Sequence, residues 1–128
     1  MAEEKMRVRE GYRFSAIGGF KKGANAALRL GVASGQFCAI MLSDGFVTKE
    51  KVSGLEPTIN REALKRTAFF IDAPDKGNYF EGNGNLHVVL RDKDVYHEYR
   101  VREGDGGFDW FLGGLPEIIQ FTAKRFHK

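Results

Sequence analysis

The sequence is poor in cysteine and proline, and it lacks any long apolar run. The sequence has three prolines and one cysteine among its 128 residues. A single cysteine excludes a disulfide within the chain and argues against a structural zinc site. The single cysteine, Cys38, lies in the apolar run 37–42, which favours a buried core thiol over a reactive one. These features predict a folded protein of a reducing compartment.

Signals for membrane insertion and export are also missing from the sequence. No segment approaches the roughly 18 apolar residues that a membrane span needs, and the charged start at 1–5 is not followed by the apolar core of a signal peptide. With 42% apolar and 29% charged residues, the composition is that of a globular protein. We therefore expect one cytoplasmic domain over residues 1–128, with no membrane contact.

Motifs that would indicate catalysis are absent. The sequence contains no phosphate loop, no G-x-S-x-G turn and no pair of histidines at metal-binding spacing on a helix. The glycine-rich stretches 82–84 and 104–107 are interpreted as turns. We expect no cofactor, no metal site and no catalytic residues, and hence a protein that is not an enzyme. The alternative is a small enzyme with a pocket closed by the loop 75–85.

Short apolar runs between glycines and charged turns predict a chain rich in strands. The predicted strands are 12–17, 24–32, 37–42, 86–90 and 95–101. The second and third of these form one predicted hairpin, and the last two form another. Alternation along the second hairpin puts His87 and His97 on opposite faces, so they are not expected to share a metal.

Two helices complete the predicted plan. The segment 58–66 has apolar residues at helical spacing with Thr58 as its N-cap, while 67–71 fits either a helix end or a strand. From Phe108 onward, the apolar spacing predicts an amphipathic helix that is kinked at Pro116, since proline has no amide hydrogen to donate. The predicted fold class is α+β, with antiparallel sheets that are each followed by a helix.

A basic surface is the main functional signal. The formal net charge is +3, and the outward face of the second hairpin combines cations with aromatic rings. Single-stranded nucleic acid needs this combination, because cations neutralise phosphates and flat rings stack on bases. The predicted nucleic-acid-binding residues are Phe20, Lys21, Lys22, Arg29, His87, Arg91, Tyr96, Arg100 and Arg102. The alternative is an ordinary solvated sheet face.

Two stretches resemble the Whirly family of single-stranded-DNA-binding proteins. Lys22-Gly23-Ala24-Asn25-Ala26-Ala27-Leu28 is similar to the K-G-K-A-A-L signature of that family, with one extra residue and without the second lysine. Near the end of the chain, Leu115-Pro116-Glu117-Ile118-Ile119 follows a predicted strand pair and is similar to the L-P-x-I element of the family's closing helix.

The resemblance implies a fold and a function. It implies two four-stranded antiparallel sheets, each followed by a helix, and kinship with the coactivator called positive cofactor four. It also implies sequence-tolerant binding of single-stranded DNA or RNA in replication, recombination or transcription. A nucleoid-associated protein, or a phage protein in the host cytoplasm, would suit this role.

A homo-oligomer built by the C-terminal helix is the expected assembly. Trp110 and Phe121 fall off the apolar face of that helix, so we expect them to point outward and to need a partner surface. The alternative is that the segment bends at Pro116 and folds both faces into its own core. The predicted interface residues are Trp110, Leu115, Pro116, Ile118 and Phe121. The alternative function is an oligomeric structural or interaction protein that binds no nucleic acid.

Overall fold

Four parallel strands form the centre of the fold, and helices connect each strand to the next. The computed structural model describes residues 15–126, and the sheet order is β1-β2-β3-β4. In chain order the elements are β1 (Ala16–Phe20), α1 (Lys22–Ser34), β2 (Ala39–Ser43), α2 (Lys49–Leu55), a 3₁₀ turn (Glu56–Thr58), α3 (Arg61–Leu64), β3 (Ala68–Pro74), α4 (Phe80–Asp92), β4 (His97–Arg102) and α5 (Phe108–Phe126).

The prediction of antiparallel sheets was wrong, because every strand pair of this sheet is parallel. Parallel strands are buried on both faces and therefore carry nearly continuous apolar runs. All seven residues of β3 are buried. Its alternate residues serve two layers: Phe69 and Ile71 pack in the cluster that contains α1 and α4 residues, while Phe70 packs against α5. The fold class is α/β.

The segment predicted as the strand 24–32 is the helix α1. Its buried residues recur at helical spacing and are Ala24, Ala27, Leu28, Gly31 and Val32. At Gly31 the helix approaches β2 so closely that an added Cβ would collide with the Ile40 side chain. The segment that was to join the two predicted strands ends this helix instead, since Gly35 is left-handed (φ 63°) and its amide donates to the Gly31 carbonyl at 3.0 Å.

The second predicted hairpin was also wrong. The strand predicted at 86–90 lies within α4, which buries Leu86 and Leu90 on one face. The strand predicted at 95–101 is real and corresponds to β4, but it pairs with β3 in parallel. The run 67–71, which fitted helix or strand, falls largely in β3.

The short helix predicted over 58–66 is shorter than expected and begins at a different cap. It spans Arg61–Leu64, and its N-cap is Asn60 rather than Thr58. The Asn60 side-chain oxygen accepts hydrogen bonds from the amides of Glu62 and Ala63 at 2.7 and 3.4 Å.

The C-terminal helix is confirmed, and it runs from Phe108 to Phe126 through Pro116 as one element. The expectation that Trp110 and Phe121 point outward was wrong. Phe121 is buried, with its ring centroid 5.2 Å from that of Phe70, and Trp110 is half-buried. Ile118 is buried as well, Leu115 is half-buried and Pro116 is exposed. The helix thus uses these faces in its own core, and the homo-oligomer stays a prediction.

Cys38 is a buried free thiol, as the sequence predicted. Burial raises its pKa, which keeps the thiol in its less reactive protonated form. Within residues 15–126, no helix has the length and apolar character that crossing a membrane requires.

The packing of α5 can be tested with two matched substitutions. Phe121→Ala should lower the free energy of unfolding by about 3 to 5 kcal/mol, because it empties a buried site. Phe108 lies in the same helix but is 64% exposed, so Phe108→Ala should change stability by less than about 0.5 kcal/mol. Urea denaturation followed by circular dichroism measures both. Equal losses would contradict the burial of Phe121 against the sheet.

Candidate functional site

The carboxyl ends of the four parallel strands meet at one edge of the sheet, where open α/β sheets bind their ligands. We call this the carboxyl edge. It carries Lys21 after β1, Asp44 after β2, Asp72 near the end of β3, and the loop 103–107 after β4.

Lys21 occupies a sharp turn between β1 and α1. Its backbone has φ 58° and ψ −116°, a strained conformation for a residue with a side chain. The Lys21 amide donates to the Ser43 carbonyl at 3.0 Å, which ties the turn to β2. Glycine at position 19 makes the turn possible, because a Cβ there would collide with the backbone of Gly23. We call this turn the elbow.

Asp44 is the acidic neighbour of the elbow. The Nζ of Lys21 lies 4.0 Å from Oδ2 of Asp44, and the two side chains are 42% and 7% exposed. Burial raises the pKa of Asp44; the nearby Asp72 and Asp105 raise it further, while Lys21 opposes the shift. Gly106 lets the loop after β4 close over this carboxyl group, since an added Cβ there would collide with it. The elbow therefore pairs the Lys21 amine with a carboxyl group whose pKa lies above that of an ordinary aspartate.

A second ion pair organises the rest of the carboxyl edge. Arg102 donates two hydrogen bonds to the carboxylate of Asp72, at 2.9 and 2.8 Å. Its guanidinium lies 3.8 Å from the centroid of the Trp110 ring, so β3, β4 and α5 meet at this pair. The Asp72 side chain is only 2% exposed, and the Ser43 hydroxyl donates to it at 3.4 Å.

The residues predicted to bind nucleic acid do not form one surface. Phe20 and Lys21 lie at the elbow, and Lys22 and Arg29 lie on α1. His87 and Arg91 are on α4, because that segment is a helix and not a strand. Tyr96 donates to Glu98, Arg100 pairs with Glu98 and Glu117, and Arg102 pairs with Asp72.

The two described histidines lie away from the carboxyl edge. His97 is the first residue of β4, so it stands at the opposite end of the strand. His87 Nδ1 lies 2.8 Å from His97 Nε2, and the His87 ring stacks on Tyr99 at 4.5 Å. The prediction that the two rings point to opposite faces was therefore wrong. Burial, helped by His97 and Arg91, lowers the pKa of His87.

No protein-family model and no curated protein matches the sequence. Solved structures do match the fold. A ferulic acid esterase aligns with a TM-score of 0.85 at 19% identity, over 97% of this chain and 56% of its own. Serine hydrolase F of Staphylococcus aureus, described as fluorophosphonate-binding, aligns with a TM-score of 0.68 at 11% identity, over 87% of this chain and 55% of its own.

Esterase LipW from Mycobacterium marinum aligns with a TM-score of 0.57 at 17% identity, over 91% of this chain and 49% of its own. The likeness shows the fold. The chain spans about half the length of these hydrolases.

These matches overturn three predictions. The fold is that of esterases and serine hydrolases, so the resemblance to Whirly proteins was misleading. Single-stranded nucleic acid binding was predicted from the outward face of an antiparallel hairpin and from the Whirly resemblance, and within residues 15–126 the strand pairs are parallel. We also expected a protein that is not an enzyme, with a purely structural role as the alternative. This expectation is corrected, since the solved structures with this fold are named as esterases and hydrolases.

The elbow is the feature of this fold that sequence reasoning missed. In α/β-hydrolases a G-x-S-x-G sequence forms a strained turn between a strand and a helix, and the serine is the nucleophile. Here Gly19-Phe20-Lys21-Lys22-Gly23 forms such a turn, with lysine in the central position. The two glycines four positions apart were the available signal. Within residues 15–126, no cluster of three metal-ligating side chains occurs.

The Arg102–Asp72 pair can be tested by removing the cation. Arg102→Gln should cost about 3 kcal/mol of stability, because it leaves a buried carboxylate without its partner. Arg100→Gln is the matched control; its ion pairs are more exposed, so the loss should stay below about 1 kcal/mol. Adding Asp72→Asn to Arg102→Gln should restore part of the stability. Equal losses in the two single variants would contradict the role of Asp72.

The raised pKa of Asp44 predicts a pH dependence of stability. A group with a raised pKa in the folded state stabilises the fold fully below its unfolded pKa, and this contribution is lost as the pH rises through the folded value. Wild type should therefore lose stability relative to Asp44→Asn as the pH rises from about 4, the ordinary aspartate pKa, through the higher pKa of the folded state. Thermal melts across this range measure the difference.

The control for this measurement is Ser43→Ala, which alters a neighbour that does not titrate and should keep the pH profile of wild type. If wild type instead gains stability relative to Asp44→Asn as the pH rises, then attraction to Lys21 outweighs burial at Asp44.

Proposed function

We propose that the protein hydrolyses a carboxylic ester at its carboxyl edge, with Lys21 and Asp44 as the working pair. The observation that carries the proposal is the elbow, which holds the Lys21 ammonium 4.0 Å from a carboxyl group of raised pKa. Two solved structures with this fold are named as esterases, which supports an ester as the substrate class.

Lys21 cannot perform the reaction of a serine nucleophile. If its amine attacked an ester carbonyl, the alcohol would leave and a stable amide would remain on the enzyme, which would end turnover. The ammonium form can instead stabilise the negative charge that develops on the carbonyl oxygen. The amide of Lys22 lies in the first turn of α1, where helix amides lack intrahelical acceptors, and it supplies a second donor at the elbow.

Asp44 is the proton carrier in this mechanism. Its carboxylate accepts a proton from a water molecule while the water oxygen bonds to the carbonyl carbon. When the tetrahedral intermediate collapses, the bond to the alcohol oxygen breaks and Asp44 returns its proton to that oxygen. The products are a carboxylic acid and an alcohol, and Asp44 is again a carboxylate. A raised pKa suits this role, because it makes Asp44 a stronger base than an ordinary aspartate and brings its pKa closer to the working pH.

Turnover of p-nitrophenyl acetate and p-nitrophenyl butyrate tests the proposal. Wild type should release many equivalents of nitrophenolate per chain, whereas simple acylation of surface lysines stops after a fixed number. Lys21→Met and Asp44→Asn should each lower kcat/KM by about 100-fold or more. Lys49→Met is the matched control, because Lys49 is exposed and pairs with Glu81 on the surface.

The pH profile separates the roles of the two residues. kcat/KM of wild type should rise as Asp44 ionises, at a higher pH than for an ordinary aspartate, and this rise should be missing in Asp44→Asn. Treatment with a fluorophosphonate should not label the elbow, since its central residue has no hydroxyl. Release that stops near one equivalent, or a full rate in Lys21→Met, would overturn the proposal.

A further inference from the structure

A cleft between α1 and α2 lies next to the elbow but uses different side chains. Its volume is about 480 Å³, within the range of pockets that hold small organic ligands. One wall is a stripe of α1 that carries Lys22, Asn25 and Arg29, which share a face at spacings of three, four and seven residues. The other wall is α2, through Lys51 and Leu55. We call this the basic cleft.

The charge of the basic cleft has one sign. Its charged lining residues, Lys22, Arg29 and Lys51, are all cations. The Lys51 ammonium group donates to the Phe46 carbonyl at 3.4 Å, which holds it beside the backbone near the elbow. Within residues 15–126, neither Lys22 nor Arg29 forms an ion pair. Three like charges around one cavity repel each other until an anion enters.

The floor of the cleft is apolar. Leu28 is buried and Leu55 is half-buried, and both line the cavity together with Ala26. A small inorganic anion could bind the cations, but the apolar floor would stay exposed to water. An anion with a hydrocarbon body would gain from both, because burying apolar surface adds to the charge attraction.

From these observations we infer that the basic cleft binds a carboxylate with an apolar chain, of which octanoate is a suitable probe. The carboxylate lies among Lys22, Arg29 and Lys51, and the chain covers Leu28 and Leu55. This site is separate from the elbow, where Lys21 faces Asp44.

Isothermal titration calorimetry with three probes tests each part of the inference. Octanoate should bind, and neither 1-octanol nor inorganic phosphate should bind measurably in the same range. Arg29→Gln and Lys51→Gln should each weaken octanoate binding about tenfold. Lys65→Gln is the matched control, since Lys65 is exposed and pairs with Glu62 outside the cleft.

Equal binding of 1-octanol, competition by phosphate alone at similar concentrations, or no binding of octanoate would each overturn the inference. Circular dichroism melts confirm that the variants are folded. Because the readout is binding, the result is independent of ester turnover at the elbow.

Discussion

A carboxylate buried at the end of β3 constrains the whole carboxyl edge. Asp72 is almost inaccessible to water, and Arg102 compensates for this burial by reaching it from β4 with two hydrogen bonds. Trp110 covers the guanidinium from α5, so the pair also fixes how the last helix meets the sheet. The amide of Asp44 donates to the Asp72 carbonyl, and the same strand end thus positions the acid beside the elbow.

Local pattern predicted some elements and failed for others, for identifiable physical reasons. β4 and α5 were predictable because apolar residues alternate with polar ones in β4 and recur at helical spacing in α5. In α1, Leu28, Leu30 and Val32 fit a strand as well as a helix, and only burial shows that Leu30 is on the outside. In α4, glycine at position 82 disfavours a helix locally, yet a side chain there would collide with the Val47 backbone.

The site was harder to predict than the fold. The alternation that placed Arg100 and Arg102 on one face was correct, but α5 residues meet that face through Glu117 and Trp110. These partners of Arg100 and Arg102 are distant in sequence, so the sequence pattern did not reveal them. The two arginines were therefore predicted to bind phosphates. The elbow was missed because the known motif is identified by its central serine, whereas the turn itself requires only glycine at position 19 and a central residue that tolerates the strained backbone.

The parallel arrangement also has a consequence for how the chain folds. A parallel strand can reach its neighbour only through a crossover, so no pair in this sheet forms as a hairpin with a tight turn. Each strand pairing closes a loop that contains a helix. The chain therefore loses conformational entropy before the hydrogen bonds of the sheet can stabilise it. Such high contact order slows folding. Helix formation in α1 and α4 is local by comparison, and both helices must dock before the central strands are shielded from other unfolded chains.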